Sequence, residues 1–242
     1  MKRSLPLAAA GLSLAAVFAC ANAPVEARDG GEEGGGGVPA KQERPRTPKA
    51  LDQIVRKLQA RYDATKDFTA DFRQTVEAPT LGKPLESSGQ VYFKRPGRMR
   101  WEFAAPEEQT IVADGRTLWV HQPEHRQVLK APFRAAFQSA TPVSFLFGVG
   151  ELANDFDPSL VAADQGVYRL KLVPKREREI GVLVLDVDPQ TYDIAAAEIT
   201  DPLGNVTRLV FTNLKRDVGL DDSKFTFRAP PGTDVVEPPG NS

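Results

Sequence analysis

The sequence predicts a mainly β domain of the α+β class, built on one large, curved antiparallel sheet. Apolar and polar residues alternate with a period of two in successive runs from Phe68 onward, a pattern typical of half-buried strands. Short turns with explicit turn chemistry, such as Asp114-Gly115, separate these runs. Helical spacing occurs at the start of the domain and in its middle, so strands dominate the pattern.

The chain begins with a segment typical of an exported protein. Lys2 and Arg3 precede an apolar run over residues 5–19, which is too short to span a bilayer and is followed by small residues. We assign residues 1–21 to a signal peptide, with cleavage between 19 and 23. The mature protein is therefore expected in the periplasm.

Cys20 is the only cysteine, which excludes a disulfide framework and a cysteine-rich metal site. Two interpretations of it remain open. Val17-Phe18-Ala19-Cys20 loosely resembles a lipobox, in which the cysteine is acylated and anchors the protein to a membrane. The alternative is ordinary signal-peptide cleavage beside it. Residues 22–49, rich in glycine, proline and charge, are predicted to form a disordered linker that would suit a lipid tether.

The folded domain is assigned to residues 50–242 and opens with a helix. Thr47 can cap this helix and Pro48 suits its first turn. Charged residues, among them Lys57 and Arg61, occupy one face, which predicts that the other face packs on something apolar. The apolar residues that recur at helical spacing are Leu51, Ile54, Val55, Leu58 and Tyr62.

Roughly nine or ten short strands in meander order are expected after this helix. The clearest alternating runs are 68–72, 91–93, 99–103, 118–120, 168–172, 183–187, 209–211 and 225–227. The bends between strands are predicted at 105–108, 114–115 and 202–205.

The middle of the domain interrupts the strand pattern. Thr141-Pro142 is typical of a helix cap followed by a first-turn proline, and residues 131–140 before it are compatible with helix. The apolar side chains that follow are Val143, Phe145, Leu146, Phe147 and Val149. Such a short, all-apolar helix either fills the core or forms a movable cover over a cavity on the concave side of the sheet.

Residues suited to catalysis are scarce. His121 and His125 lie in a predicted turn rather than on one helix face, so they do not form a metal-binding pair. The formal net charge of −1 gives no reason to expect nucleic acid. We therefore predict no enzyme activity, no cofactor and no metal. The acidic pairs beside turns are expected to be solvated, and they are Asp186 with Asp188 and Asp221 with Asp222.

The most distinctive segment is a predicted hairpin over residues 93–103, turned by Pro96-Gly97. Alternation places Met99, Trp101 and Phe103 on one face of its second strand. This hairpin is one of several short motifs spread along the domain. In chain order the motifs are Phe68-Thr69-Ala70-Asp71-Phe72-Arg73-Gln74, Lys94-Arg95-Pro96, Met99-Arg100-Trp101, Pro106, Asp114-Gly115-Arg116-Thr117-Leu118-Trp119, Thr141-Pro142, Lys224-Phe225-Thr226-Phe227 and Pro230-Pro231-Gly232. In this order they resemble the periplasmic outer-membrane lipoprotein carrier family (LolA), from about residue 51 to about residue 236.

The resemblance implies an incomplete antiparallel β-barrel of about 10–11 strands, with a helical lid covering an apolar cavity. It implies a monomeric periplasmic chaperone that binds the acyl chains of lipoproteins and moves them from the inner to the outer membrane. The implied partners are acylated lipoproteins, an inner-membrane lipoprotein-releasing ABC transporter and an outer-membrane lipoprotein acceptor.

The resemblance also assigns roles to residues. Arg95 takes the place of the family's closure arginine, whose guanidinium holds the lid through backbone carbonyls, and Met99 stands where many members have an aromatic residue. The side chains implied to line the lipid cavity are Phe72, Met99, Trp101, Phe103, Leu118, Val143, Phe145, Leu146 and Phe147.

Two alternatives share this fold. One is a lipid-anchored outer-membrane lipoprotein acceptor, which Cys20 and the linker favour. Acceptors carry an extended apolar loop between the third and fourth strands, whereas residues 103–110 here form a short acidic bend, which favours the carrier. The other alternative is a structural envelope lipoprotein without a carrier role, which would have a filled interior.

Overall fold

The computed structural model of the protein describes residues 48–133, 151–163, 166–176 and 181–237. Several predictions concern residues outside these ranges: the signal peptide, Cys20, residues 22–47 of the linker, and the apolar segment with Val143, Phe145, Leu146 and Phe147. Within the described part, no helix is long and apolar enough to cross a membrane.

The predicted first helix is confirmed as α1 (Pro48–Ala64). Its apolar positions Ile54, Val55 and Leu58 are buried against the sheet. The helix ends where Thr65 turns back on it, because the Thr65 Oγ1 hydroxyl donates to the carbonyl of Arg61 at 3.0 Å. Such a side-chain bond satisfies one of the carbonyls that a helix end leaves without an intrahelical partner.

In the described part of the chain twelve strands form one sheet, rather than the 10–11 expected. A short helix α2 (Leu152–Asp155) precedes the seventh strand, and a 3-10 helix covers Asp222–Phe225. The strands are β1 (Asp67–Glu77), β2 (Leu85–Lys94), β3 (Arg98–Ala105), β4 (Gln109–Asp114), β5 (Thr117–Gln122), β6 (Gln127–Pro132), β7 (Phe156–Ala162), β8 (Tyr168–Pro174), β9 (Val182–Val187), β10 (Ile194–Thr200), β11 (Val206–Arg216) and β12 (Asp234–Val236).

The sheet consists of two meanders, β1 to β6 and β7 to β11, which are joined where β1 pairs with β11. Its order is β12-β6-β5-β4-β3-β2-β1-β11-β10-β9-β8-β7, and β1 pairs antiparallel with β11. Among the described residues β12 and β7 are the edges, so the predicted open, mainly β structure is confirmed. The sheet is not wholly antiparallel, however, since β12 runs parallel to β6.

One strand prediction and one helix prediction were wrong, for identifiable reasons. Residues 225–227 do not form a strand, because the carboxylate of Asp221 accepts from the Ser223 amide at 2.8 Å and caps the 3-10 helix. Residues 131 and 132 belong to β6 rather than to a helix, since Ala131 pairs with Leu118 and Pro132 with Thr117.

One acidic residue expected to be solvated is buried instead. The side chain of Asp186 on β9 accepts from Arg208 Nη2 at 2.8 Å and lies 3.7 Å from Arg169 Nε. Arg208 Nη1 also donates to Glu198 Oε2 at 3.1 Å. Because β8 to β11 are neighbours in the sheet, these charges pair across four strands, which a local sequence pattern does not show.

The core lies on the inner face of the sheet. Alternate residues of β3, namely Met99, Trp101 and Phe103, are buried as the hairpin pattern predicts. The ring of Phe72 on β1 meets both Trp101 and Phe103 edge-on, with centroids 4.9 Å apart in each pair. Gly89 permits the close approach of β2 and β3 behind these rings, because a Cβ atom there would lie 1.9 Å from the carbonyl oxygen of Glu102.

Candidate functional site

Arg95 lies in the turn between β2 and β3, which the Pro96-Gly97 pair was predicted to form. Gly97 has a φ of +62°, a conformation that glycine adopts without steric cost. The main-chain amide of Arg95 donates to the carbonyl of Lys66 at 2.9 Å, which fixes the turn beside the end of α1.

The guanidinium of Arg95 binds the C-terminus of α1. Its Nη2 donates to the carbonyl of Tyr62 at 2.9 Å, and its Nε donates to the carbonyl of Thr65 at 3.2 Å. The same Nη2 lies 3.4 Å from the carboxylate of Asp63. These carbonyls end a helix and carry partial negative charge, so a cation is favoured there. Arg95 therefore ties the β2–β3 turn to the helix through backbone carbonyls, and its role in lid closure stays a prediction.

The neighbouring cations bind the segment that follows β11. Lys94 Nζ donates to the carbonyl of Leu220 at 2.5 Å and to the carboxylate of Asp222 at 2.6 Å. Arg98 Nη1 lies 2.5 Å from the same carboxylate. The hydrogen bond from Lys94 holds the pKa of Asp222 below its ordinary value, and the charge of Arg98 acts in the same direction.

A buried carboxylate fixes the same segment from the other side. Asp67 Oδ1 accepts from the amides of Val218 at 2.8 Å and Gly219 at 3.2 Å, and Oδ2 accepts from Leu220 at 3.3 Å. Asp67 is 4% exposed, and these amides replace the water that it loses on burial.

An apolar cleft with a cavity volume of about 70 Å³, partly open to solvent, lies between α1 and the sheet. Its apolar and aromatic walls are formed by Leu58, Tyr62, Phe68, Phe93, Tyr192, Ile194, Phe211 and Leu214. The remaining lining residues are polar: Arg61, Thr65, Asp193 and Arg216.

Two arginines of the cleft share one carboxylate oxygen. Arg61 Nε on α1 donates to Asp193 Oδ1 at 3.1 Å, and Arg216 Nη1 on β11 donates to the same atom. Burial lowers the pKa of Arg216, and the charge of Arg61 lowers it further. Lys57 lies nearby, with Nζ at 3.3 Å from the hydroxyl of Tyr192. The polar face predicted for α1 thus reaches the cleft through Arg61.

A β-bulge directs the end of β11 into the cleft. Asp71 pairs with Thr212 but Thr69 pairs with Lys215, so β11 has one extra residue at this point. Asn213 lies there with a φ of +53°, and its amide donates to Asp71 Oδ2 at 2.7 Å. Without the extra residue, alternation from Phe211 would turn residues 213 and 215 inward. With it, Leu214 and Arg216 line the cleft instead.

The predicted lipid-lining residues that the structure describes are Phe72, Met99, Trp101, Phe103 and Leu118. All of them are buried in the core, and none of them belongs to the walls of this cleft. Phe211 joins the two regions, because its ring lines the cleft and lies 6.3 Å from that of Trp101. The lining role of these five residues stays a prediction.

Sequence reasoning missed Tyr62, Asp193 and Arg216 as candidate functional residues. The sequence indicated only that Tyr62 lies on the apolar face of the predicted helix. Arg216 and Asp193 are brought together by strand pairing and a bulge, and neither leaves a motif. The described ranges contain no group of three or more His, Cys, Asp or Glu arranged to hold a metal ion.

Comparison with known proteins gives a consistent result. A family model described as "Outer membrane lipoprotein carrier protein LolA" matches residues 63–228. A protein of Methylococcus capsulatus named outer-membrane lipoprotein carrier protein is 34% identical over 182 residues, which cover 75% of this chain and 86% of that protein. One of the same name from Methylibium petroleiphilum is 35% identical over 181 residues, with 72% and 88% covered.

Among solved structures, the crystal structure of a LolA superfamily protein from Nitrosomonas europaea is 18% identical and has a TM-score of 0.43. The match covers 73% of this chain and 97% of that one.

Proposed function

This chain belongs to the family of outer membrane lipoprotein carrier proteins, LolA, and from this we propose that it carries lipoproteins across the periplasm by sheltering their acyl chains. The family consists of lipoprotein carriers rather than enzymes. We propose that the chain enters the periplasm by means of a signal peptide in residues 1–21.

The physical need for such a carrier follows from the hydrophobic effect. Moving one acyl chain of about 14 methylenes into water costs on the order of 10 kcal/mol at ~0.8 kcal/mol per methylene. A lipoprotein with several chains is therefore confined to its membrane unless a protein covers the chains. A useful carrier must also release them, so its binding site must open.

The observation that supports this function is the contact of Arg95 with the C-terminus of α1, above an apolar cleft. We propose that α1 is part of a lid and that Arg95 holds it closed. The two hydrogen bonds to main-chain carbonyls are partly exposed to solvent, since 31% of the Arg95 side chain is accessible. Water can replace such bonds when the lid opens, so the contact closes the lid without locking it.

The bend between β3 and β4 favours the carrier over the acceptor of the same fold. β3 ends at Ala105 and β4 begins at Gln109, which leaves only Pro106, Glu107 and Glu108 between them. An acceptor would require an extended apolar loop there. We therefore propose that the chain receives lipoproteins from an inner-membrane ABC transporter and delivers them to a separate outer-membrane acceptor.

The test is complex formation with one lipoprotein in two forms. The purified chain is incubated with a detergent-solubilised triacylated lipoprotein, and with the same protein whose acylated cysteine is replaced by serine. We expect a detergent-free soluble complex with the acylated form alone. Equal retention of both forms, or of neither, would refute the carrier function.

A further inference from the structure

The mouth of the cleft carries more positive than negative charge although its walls are apolar. Arg61 and Arg216 pair with Asp193 there, and Lys57 contacts the hydroxyl of the neighbouring Tyr192. Asp217 adds a second negative charge close enough to raise the pKa of Arg216. The arginines come from two different elements, α1 and β11, and both donate to a single oxygen of Asp193. A single carboxylate oxygen cannot satisfy the donors of two guanidinium groups, each of which has five.

We propose that this mouth binds the headgroup of a single-chain anionic amphiphile, a long-chain carboxylate, with Arg61 and Arg216 as its ligands and the acyl chain in the cleft. The Asp193 carboxylate competes with the headgroup for the two arginines, since it occupies the position that the headgroup carboxylate takes. The inference goes beyond the proposed function, because the acyl chains of a lipoprotein carry no free carboxylate, and it rests on that function only for the acyl-binding cleft.

The choice of a carboxylate follows from the groups already in place. Guanidinium groups bind carboxylates through charge-assisted hydrogen bonds, which are stronger than neutral ones. The carboxylate of Asp193 already pairs with both arginines, and its side chain is 21% exposed, so an entering headgroup can reach them.

The bulge in β11 is an independent indication that this geometry serves binding. Without the extra residue, Lys215 rather than Arg216 would face inward, and its ammonium lacks the planar fork that matches a carboxylate. Bulges of this kind are common beside binding sites, where they redirect a side chain. The hydrogen bond between Asn213 and Asp71 holds the bulge in place from the opposite face.

The test uses three probes with the same chain and different headgroups: dodecanoate, dodecan-1-ol and dodecyltrimethylammonium. Binding to the purified full chain is measured by calorimetry below the micelle concentration, at low salt. We expect dodecanoate to bind about tenfold more tightly than dodecan-1-ol. The cationic probe should bind most weakly. Dodecan-1-ol reports on the acyl cleft itself, so its failure to bind would argue against the proposed function rather than against the headgroup site alone.

Variants separate the headgroup site from the cleft. Arg216→Gln and Arg61→Gln should each reduce the preference for dodecanoate over dodecan-1-ol about tenfold. Asp193→Asn should increase the preference for dodecanoate, because the competing carboxylate is removed. Loss of folding cannot explain such an increase. Arg73→Gln, at an exposed arginine of β1, is the matched control and should leave the preference unchanged. Equal binding of all three probes to the wild type, or an unchanged preference in Asp193→Asn, would overturn the proposal.

Discussion

Arg95 holds Tyr62 by two different parts of that residue. Its Nη2 donates to the Tyr62 carbonyl at 2.9 Å, and its guanidinium carbon lies 4.7 Å from the centroid of the Tyr62 ring. The ring also lines the cleft. The carbonyl contact secures the helix, and the cation–π contact secures a wall of the cleft, so one side chain couples the position of α1 to the shape of the cleft.

The first prediction concerns Arg95→Leu. Truncation should lower the free energy of unfolding by about 1 kcal/mol or less, because the lost bonds are partly exposed to solvent. Transfer of bound lipoprotein to acceptor membranes should change markedly, since α1, which we propose as part of a lid, has lost its contact with the turn. Thermal denaturation and a transfer assay with purified components measure the two effects.

Arg95→Lys is the matched control for charge. Lysine keeps the positive charge near the helix C-terminus but cannot bind two carbonyls with a planar fork. We expect an intermediate transfer rate. A wild-type rate in Arg95→Leu would exclude the closure role.

The second prediction tests the close approach of β2 and β3. Gly89→Ala places a Cβ atom 1.9 Å from the Glu102 carbonyl oxygen, so the strands must separate. We expect a loss of about 3 kcal/mol of stability, at the upper end for overpacking. Gly82→Ala is the control, because nothing lies within 4 Å of a Cβ atom there. Urea denaturation of both variants decides the point, and equal stabilities would contradict it.

The third prediction concerns the bulge. At Asn213, with a φ of +53°, Asn213→Val forces a β-branched residue into the left-handed region, at a cost of about 1–2 kcal/mol. Asn213→Gly removes the hydrogen bond to Asp71 but relieves the backbone, so it should be nearly neutral. Urea denaturation measures stability, and dodecanoate binding measures the position of Arg216. If the Asn213→Val variant were as stable as the Asn213→Gly variant, the left-handed backbone conformation at residue 213 would not be required.

The sequence was sufficient for the fold class, α1 and the hairpin at Pro96-Gly97, because each has a strong local pattern. β4 was not recognised, since Ile111, Val112 and Ala113 are all buried and show no alternation. β7 was also not recognised, because Pro158 is usually taken to break a strand. An edge strand such as β7 tolerates a proline. Arg95 was identified through resemblance. Its partners were not, because carbonyls of a helix end have no side-chain signature.

The fourth prediction is a loss of stability in acid that depends on Asp222. The hydrogen bond from Lys94 lowers the pKa of Asp222 below its ordinary value of 3.8. The stabilisation is therefore fully present above that value, and it is lost as the pH falls through the lower folded pKa. Asp222→Asn should be less stable than the wild type at neutral pH, and this difference should shrink as the pH falls below 3.8 and through the lower folded pKa.

Urea denaturation at a series of pH values measures this difference. Asp52→Asn, at an exposed residue of α1, is the control and should run parallel to the wild type. A gap between wild type and Asp222→Asn that stayed constant down to the lowest pH would show that the ion pairs with Lys94 and Arg98 do not stabilise the fold.

The last prediction concerns Cys20 and the linker, on which the choice between carrier and acceptor depends. A flexible coil of about 27 residues spans roughly 30 Å root-mean-square, at about 5–6 Å times the square root of its length. A domain tethered by such a linker could face its own membrane but could not travel to a second one. A carrier therefore requires a free mature protein, and we expect wild type and Cys20→Ala alike in the soluble periplasmic fraction after cell fractionation. Membrane association of the wild type that disappears in Cys20→Ala would instead identify an anchored acceptor, because only acylation of that cysteine explains the difference.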